Sequence, residues 1–135
     1  MQYLLDTDTC IYLIKKKPVS VIQKLTALPT SSVALSVVSL FELKFGVENS
    51  QHRKQSDKAL NHFIESIHCI LPMDELAASH AARIRADLKN KGTPIGPYDL
   101  LIAAIAWSNN LTLVSNNSHE FQRVDGLTLE NWVEV

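Results

Sequence analysis

Cysteine is nearly absent from the 135 residues: Cys10 and Cys69 stand far apart, with no Cys-x-x-Cys or Cys/His spacing. That excludes a disulfide framework and a thiolate zinc site, and leaves two buried, reduced thiols as the expectation. Glycine (4) and proline (5) are also scarce. No Gly-rich phosphate loop, nucleophile elbow or His-Glu-x-x-His helix is present, and neither is a linker, repeat or low-complexity segment. Apolar runs fall well short of the roughly 20 residues of a membrane span. The N-terminal segment also lacks the charge and cleavage pattern of a secretory signal, so a cytoplasmic protein is expected, with no membrane partner. Excess charge is missing too. A net charge of −1 argues against a protein that coats nucleic acid by bulk attraction. The basic clusters Lys15–Lys16–Lys17, Arg53–Lys54 and Arg83, Arg85, Lys89, Lys91 each read as a solvated face.

What is present is an ordinary globular composition, with 46% hydrophobic and 20% charged residues, enough for one domain spanning 1–135 with a self-sufficient core. Gln2 to Leu5 is a short apolar run ending at Asp6, and Cys10 to Lys16 mixes apolar and basic residues before Pro18, which reads as strand, acidic turn and helix. Val21, Ile22, Leu25 and Leu28 have helical spacing. Val33 to Val38 is a β-rich run, and a helical segment follows from Ser39 through Val47. Leu60, Phe63, Ile64 and Ile67 predict another helix and His68 to Leu71 a strand. Asp74 is placed to cap a long helix with the stripe Leu76, Ala77, His80, Ala81, Ile84, Leu88, ending near Gly92. Pro97 sits at the first position of a helix that is apolar on nearly every face through Trp107 and must therefore be buried on most sides. Leu111 to Val114 is a further strand, a short helical turn runs through Phe121, and an extended piece lies near Leu127 to Leu129. Strands alternating with helices predict an α/β fold, a parallel sheet with helices on both faces.

Acidic and amide residues recur where strands give way to helices, the edge at which open α/β sheets bind ligands. Asp6 and Asp8 follow the first strand. Glu42 is expected in the first turn of the helix after the second strand and Asp99 in the first turn of the buried helix, while Asn116 and Asn117 follow a late strand. Each has a plainer reading. Ser39-x-x-Glu42 has capping-box spacing, Asp99 suits a helix dipole, and Asp8 is placed to cap the first helix. Asp6 is harder to explain away, because it ends an apolar strand where an unpaired carboxylate is costly to ionise. If Asp6, Glu42 and Asp99 converge, their repulsion makes sense mainly around a cation, and an all-oxygen set selects Mg²⁺ or Mn²⁺. Such an ion activates water and stabilises charge on a phosphodiester, which makes metal-assisted phosphodiester hydrolysis the expected chemistry.

Four segments carry a family resemblance: Leu4-Leu5-Asp6-Thr7-Asp8-Thr9, Ser39-Leu40-Phe41-Glu42-Leu43, the stretch from Gly92-Thr93-Pro94-Ile95-Gly96-Pro97-Tyr98-Asp99 through Ala103, and Leu113-Val114-Ser115-Asn116-Asn117. Together they resemble the successive PIN-domain motifs of the VapC toxins, along the whole chain to Leu129-Glu130-Asn131-Trp132. The resemblance implies a magnesium-dependent endoribonuclease, the toxin half of a type II toxin–antitoxin pair. It makes Asp6 and Asp99 the main metal ligands, with Mn²⁺ as a substitute ion, and Glu42 a third acid that holds metal or activates water. Thr7 becomes a supporting hydroxyl. It also implies a homodimer, a small VapB-type antitoxin that blocks the site, promoter DNA bound only through that antitoxin, and tRNA, initiator tRNA first, as the RNA substrate. The chain departs from the pattern at two places. Many relatives carry Asn where Asp8 stands, so Asp8 either joins the metal ligands or only caps. Many PIN nucleases carry a fourth acid where this chain has Asn117, which is counted here with the catalytic residues, and Glu120 is the candidate substitute ligand.

Two other classes compete. Asp6-Thr7-Asp8-Thr9 approaches the nucleophile motif of haloacid-dehalogenase-type phosphatases, in which Asp6 would take the phosphoryl group and Asp8 act as general acid, but a later lysine with paired aspartates is missing. A PIN-like module that binds RNA or a partner with little or no cutting is the non-enzyme alternative, prompted by Asn117. Tyr98, Trp107 and Trp132 read as packing residues, and His80, on an apolar stripe, as a core or interface residue.

Overall fold

The computed structural model describes residues 1–133. Five strands, β1 (Tyr3–Leu5), β2 (Val33–Ser36), β3 (Cys69–Leu71), β4 (Thr112–Val114) and β5 (Leu129–Glu130), form one parallel sheet in the order β3-β2-β1-β4-β5. The central strands are buried on both faces, which is why they read as unbroken apolar runs rather than as alternating ones. Successive side chains of β1 point to opposite layers. Tyr3 and Leu5 join α1 (Thr7–Lys15), α2 (Val19–Thr26) and α4 (Arg53–Ile64), whereas Leu4 joins α5 (Glu75–Asn90) and α6 (Pro97–Ser108). Helix α3 (Val37–Glu48) gives Val38 to one layer and Leu43 to the other. A short α7 (Ser118–Phe121) buries Phe121. No helix among the described residues is long and apolar enough to cross a membrane.

The expected elements appear, with instructive shifts. Helix α5 starts as predicted, Asp74 accepting from the Ala77 N–H at 2.9 Å, and the chain leaves it through Gly92 at φ +70°, a conformation glycine adopts without a Cβ penalty. Pro97 begins α6, whose residues Ile102 to Ala106 are fully buried. The second strand ends earlier than its β-branched run suggests. Ser36 caps α3 by accepting from the Ser39 N–H at 3.0 Å, so Val37 and Val38 are helical despite their β preference. Cys10 is buried, but Cys69 is only half-buried and its Sγ lies 3.0 Å from the Met1 sulfur, which corrects the expectation of two buried thiols. Trp132 packs edge-on against Tyr3, as a packing aromatic should. His80 is partly buried beside the Trp107 ring, 5.1 Å between centroids.

Candidate active site

After β1 the chain turns to one side of the sheet for β2 and β3, and later returns to add β4 and β5 on the other. The reversal lies between β1 and β4, and the crevice at their carboxyl ends is where such sheets take ligands. Asp6 occupies that point. Its N–H donates to the Val114 carbonyl at 3.0 Å, tying it to the end of β4, and its Oδ1 caps α1 by accepting from the Thr9 N–H at 2.8 Å. The cap is therefore Asp6 and not Asp8, which stands exposed in the first turn of α1. Asp6 is almost wholly buried. Burial raises its pKa, hydrogen bonds from Ser115 and Thr9 oppose the rise, and Asp8 adds to it.

Glu42 reaches the same crevice from the second turn of α3, not the first, because α3 begins at Val37. The capping box suggested by Ser39-x-x-Glu42 is not made, since Ser36 is the cap and Ser39 is buried within the helix. Glu42 is held instead by Thr7, whose hydroxyl donates to Glu42 Oε1 at 2.6 Å and lies 3.1 Å from Ser39 Oγ. Thr7 thus ties the third acid to the first motif.

Asp99 enters from the first turn of α6. Its pKa is raised to about 6 by burial first, then by the negative fields of Glu120, Asp6, Glu42 and Asp8. Five carboxylates drawn from four elements thus act on one another, and four of them, Asp6, Asp8, Glu42 and Asp99, line a single cleft of about 450 Å³ with Thr7, Ile11, Phe41, Phe45 and Tyr98. Among the described residues no three His, Cys, Asp or Glu side chains stand close enough to cage an ion directly. The donor set is nonetheless hard oxygen of high negative charge. Mg²⁺ typically binds through one or two carboxylates and keeps several waters, so an open acidic cleft fits it better than a closed cage would.

Asn117 and Glu120 belong to a bracket beside the cleft rather than to its lining. Glu120 accepts from the Gly96 N–H at 2.9 Å and from the Asn117 amide at 2.7 Å, and these bonds hold its carboxylate below its usual pKa. A Cβ on Gly96 would lie 3.8 Å from Asp99 Oδ2 and 3.9 Å from Glu120 Oε1, so the two acids face each other across that residue. Asn117 therefore fixes Glu120 and, through it, the loop that starts α6. Asn116 braces the far side, donating to the Tyr12 hydroxyl at 3.2 Å and accepting from the Asn131 amide at 3.0 Å.

Two features escaped the sequence. Tyr98, expected to pack, is exposed at the mouth of the cleft with Phe41, their rings edge-to-face at 5.7 Å. Phe41 continues an exposed apolar flank of α3 with Val37 and Phe45. The local sequence held a signal, since no helical register of Val37-Val38-Ser39-Leu40-Phe41-Glu42-Leu43-Lys44-Phe45 can bury all its apolar residues on one side.

Residues 3–127 match the family model described as PIN domain. The chain is 40% identical over 132 residues, 98% of each chain, to the tRNA(fMet)-specific endonuclease VapC of Salmonella typhimurium, and 38% identical over 133 residues to the ribonuclease VapC2 of Rickettsia felis. Among solved structures it is similar to a DNA-bound VapBC complex from Salmonella typhimurium, with a TM-score of 0.92 and 39% identity over 98% of each chain. It is likewise similar to VapBC2 of Rickettsia felis bound to a fragment of promoter DNA, with a TM-score of 0.91 and 37% identity over 98% of this chain and 99% of that one.

Proposed function

Because the chain belongs to the PIN-domain family, in its VapC ribonuclease toxin branch, we propose that it is a metal-dependent endoribonuclease that cuts tRNA, initiator tRNA foremost. The observation that carries the reading is the convergence of Asp6, Asp8, Glu42 and Asp99 on one cleft, with the Asp99 carboxyl pushed up to about 6 by burial and by its acidic neighbours. Like charges gathered at a cost to the fold are an arrangement built for a cation. The phosphatase alternative loses its ground, since the PIN match takes in both Asp6 and Asp8.

Asp6 and Asp99 would hold Mg²⁺, or Mn²⁺ in its place, with Glu42 completing the set. Bound there, the ion supplies an activated water and a counter-charge for the phosphodiester. The protein's own part is positional. Thr7 keeps the Glu42 carboxylate turned into the cleft, where it can accept a proton from the attacking water. The Val114 carbonyl and the Thr9 amide fix Asp6 at both backbone and side chain. The Glu120–Gly96 bond sets the start of α6 and hence the height of Asp99.

The tRNA assignment follows the Salmonella typhimurium relative, a tRNA(fMet)-specific endonuclease. The solved VapBC complexes, one of them on promoter DNA, support an antitoxin as partner. Promoter DNA reached only through that antitoxin, a homodimer as the working form and a place in the cytoplasm belong to the same proposal. The exposed apolar flank of α3 beside the cleft is the natural seat for a protein partner.

The test is to incubate antitoxin-free protein with total bacterial RNA in Mg²⁺ or Mn²⁺, beside EDTA and Asp99→Asn, and to map new ends by sequencing. Cuts confined to tRNA and lost in both controls are expected. Intact RNA in every lane, with folded protein and bound metal, would overturn the reading in favour of a binding module. Cutting that survives EDTA would remove the metal from the mechanism.

A further inference from the structure

A second cleft, of about 430 Å³, lies on the other side of the first turn of α6 and is lined by Arg85, Leu88, Lys89, Pro94, Ile95, Pro97 and Leu100. The two clefts are opposite in charge. Tyr98 and Asp99 face the acidic one, which has no lysine or arginine in its lining, while Pro97 and Leu100 face this one, which has two cations and no acid. Arg85 and Lys89 are exposed, four residues apart on one face of α5, and neither forms an ion pair among the described residues. Like charges at that spacing weaken a helix, so stability gives no reason for the pair. Nearby Lys91, by contrast, is bound to Asp87 at 3.0 Å and Asp125 at 2.7 Å. Arg123 reinforces the positive rim by donating to the Pro94 carbonyl at 2.9 Å.

Resting on the ribonuclease reading above, we propose that Arg85 and Lys89 form a backbone subsite that holds RNA phosphates flanking the scissile one, so that the strand crosses the first turn of α6 from the basic cleft to the acidic one. The placement solves a problem the acidic cleft creates. Four carboxylates repel the polyanion they are meant to cut, and a metal ion offsets that only locally. Two cations on the other side of the first turn of α6 supply attraction without lining the acidic cleft. Leu88, Ile95, Pro97 and Leu100 give the floor an apolar surface on which a ribose or base edge can lie.

The experiment measures binding of labelled tRNA across a salt series, using Asp99→Asn protein in EDTA so that no cutting occurs. It compares that protein with versions also carrying Arg85→Gln/Lys89→Gln or, as a matched control, Lys54→Gln/Lys58→Gln, an exposed pair with the same spacing on α4 across the sheet. Loss of Arg85 and Lys89 should weaken binding about tenfold or more at low salt and lower the slope of log affinity against log salt by about 2, one for each phosphate contact. The control pair should change the slope by less than half as much. Manganese affinity measured calorimetrically with Arg85→Gln/Lys89→Gln in the otherwise unchanged protein should stay as it was. An unaltered slope, or an equal fall in the control, overturns the subsite while metal-dependent cutting by the unsubstituted protein leaves the ribonuclease reading standing. Absence of both RNA binding and cutting overturns the two together. Competition by a poly-glutamate peptide that depends on Arg85 and Lys89 as strongly as tRNA does would assign the cleft to an acidic protein segment and overturn the RNA proposal.

Discussion

The first turn of α6 and the body of the same helix are built on opposite principles. From Ile102 to Ala106 the helix is fully buried, with small alanines letting it lie close to the sheet and to α5. Its first turn, three residues earlier, exposes Tyr98 and holds Asp99 among acids that disfavour its ionisation. One element thus supplies both packing and the charge that packing must tolerate. The difference teaches that the cleft is sustained from outside itself, by apolar contacts one turn away.

That contrast can be broken most sharply at its charged end. Asp99→Asn keeps the shape but removes the charge, and single-turnover cleavage of tRNA should fall about 10³-fold or more, with a comparable loss when EDTA strips the metal. At the packed end, Ile102→Ala should cost about 3 kcal/mol in urea unfolding, because the side chain is fully buried and its neighbours cannot collapse into the space. Between the two, Thr7→Val leaves the carboxylates in place but frees Glu42 to rotate. A roughly tenfold slower cut is expected, with thermal unfolding nearly unchanged, since the lost hydrogen bond is only part-buried.

The smallest effect sharpens the comparison by reversing its sign. The folded protein raises the pKa of Asp99 to about 6, so it binds that proton more tightly than the unfolded chain does and loses stability as pH climbs from the ordinary carboxylate range to about 6. An asparagine feels no such loss. In EDTA, Asp99→Asn should therefore unfold at the same temperature as the parent near pH 4 and at a higher one by about pH 7, the gap levelling off above 6. Because Asp99 is half open to solvent, the gain should be only about 1 kcal/mol. An inactive variant more stable than its active parent would show the acidic cleft to be a burden on the fold.

The packed region was largely legible in the sequence, and the charged region only in part. Apolar β1 and the Val33–Leu35 run of β2, the capped stripe of α5 from Ala77 to Leu88 and the Pro97 start of α6 announce themselves because burial and capping are local demands on residue type, although Leu76, read into the same stripe, is exposed. Asp6, Glu42 and Asp99 could be singled out because acids at strand ends need a reason. Their exact neighbours could not. Ser36 and Ser39 are equally good caps in isolation, and only packing of Val38 into the core decides for Ser36, moving Glu42 to the second turn. Asp6 and Asp8 likewise compete for one cap, and the bond from Asp6 to Val114 settles it. The bond from the Gly96 amide to Glu120, 24 positions along the chain, and the exposure of Tyr98 with Phe41, depend on how α7 and α3 lie against α6, which no short stretch of sequence encodes.

The hydrogen bond from the Asp6 amide to the Val114 carbonyl has a bearing on how the chain is made. Thr9 reaches the same carbonyl from 105 positions away, so the first strand finds one of its two sheet partners only after most of the polypeptide exists. A nascent chain stalled after α6 already carries Asp6, Glu42 and Asp99, yet lacks the strand that pins the first of them. The Asp6 corner of the cleft is therefore complete only once the fourth strand has emerged and closed on the first.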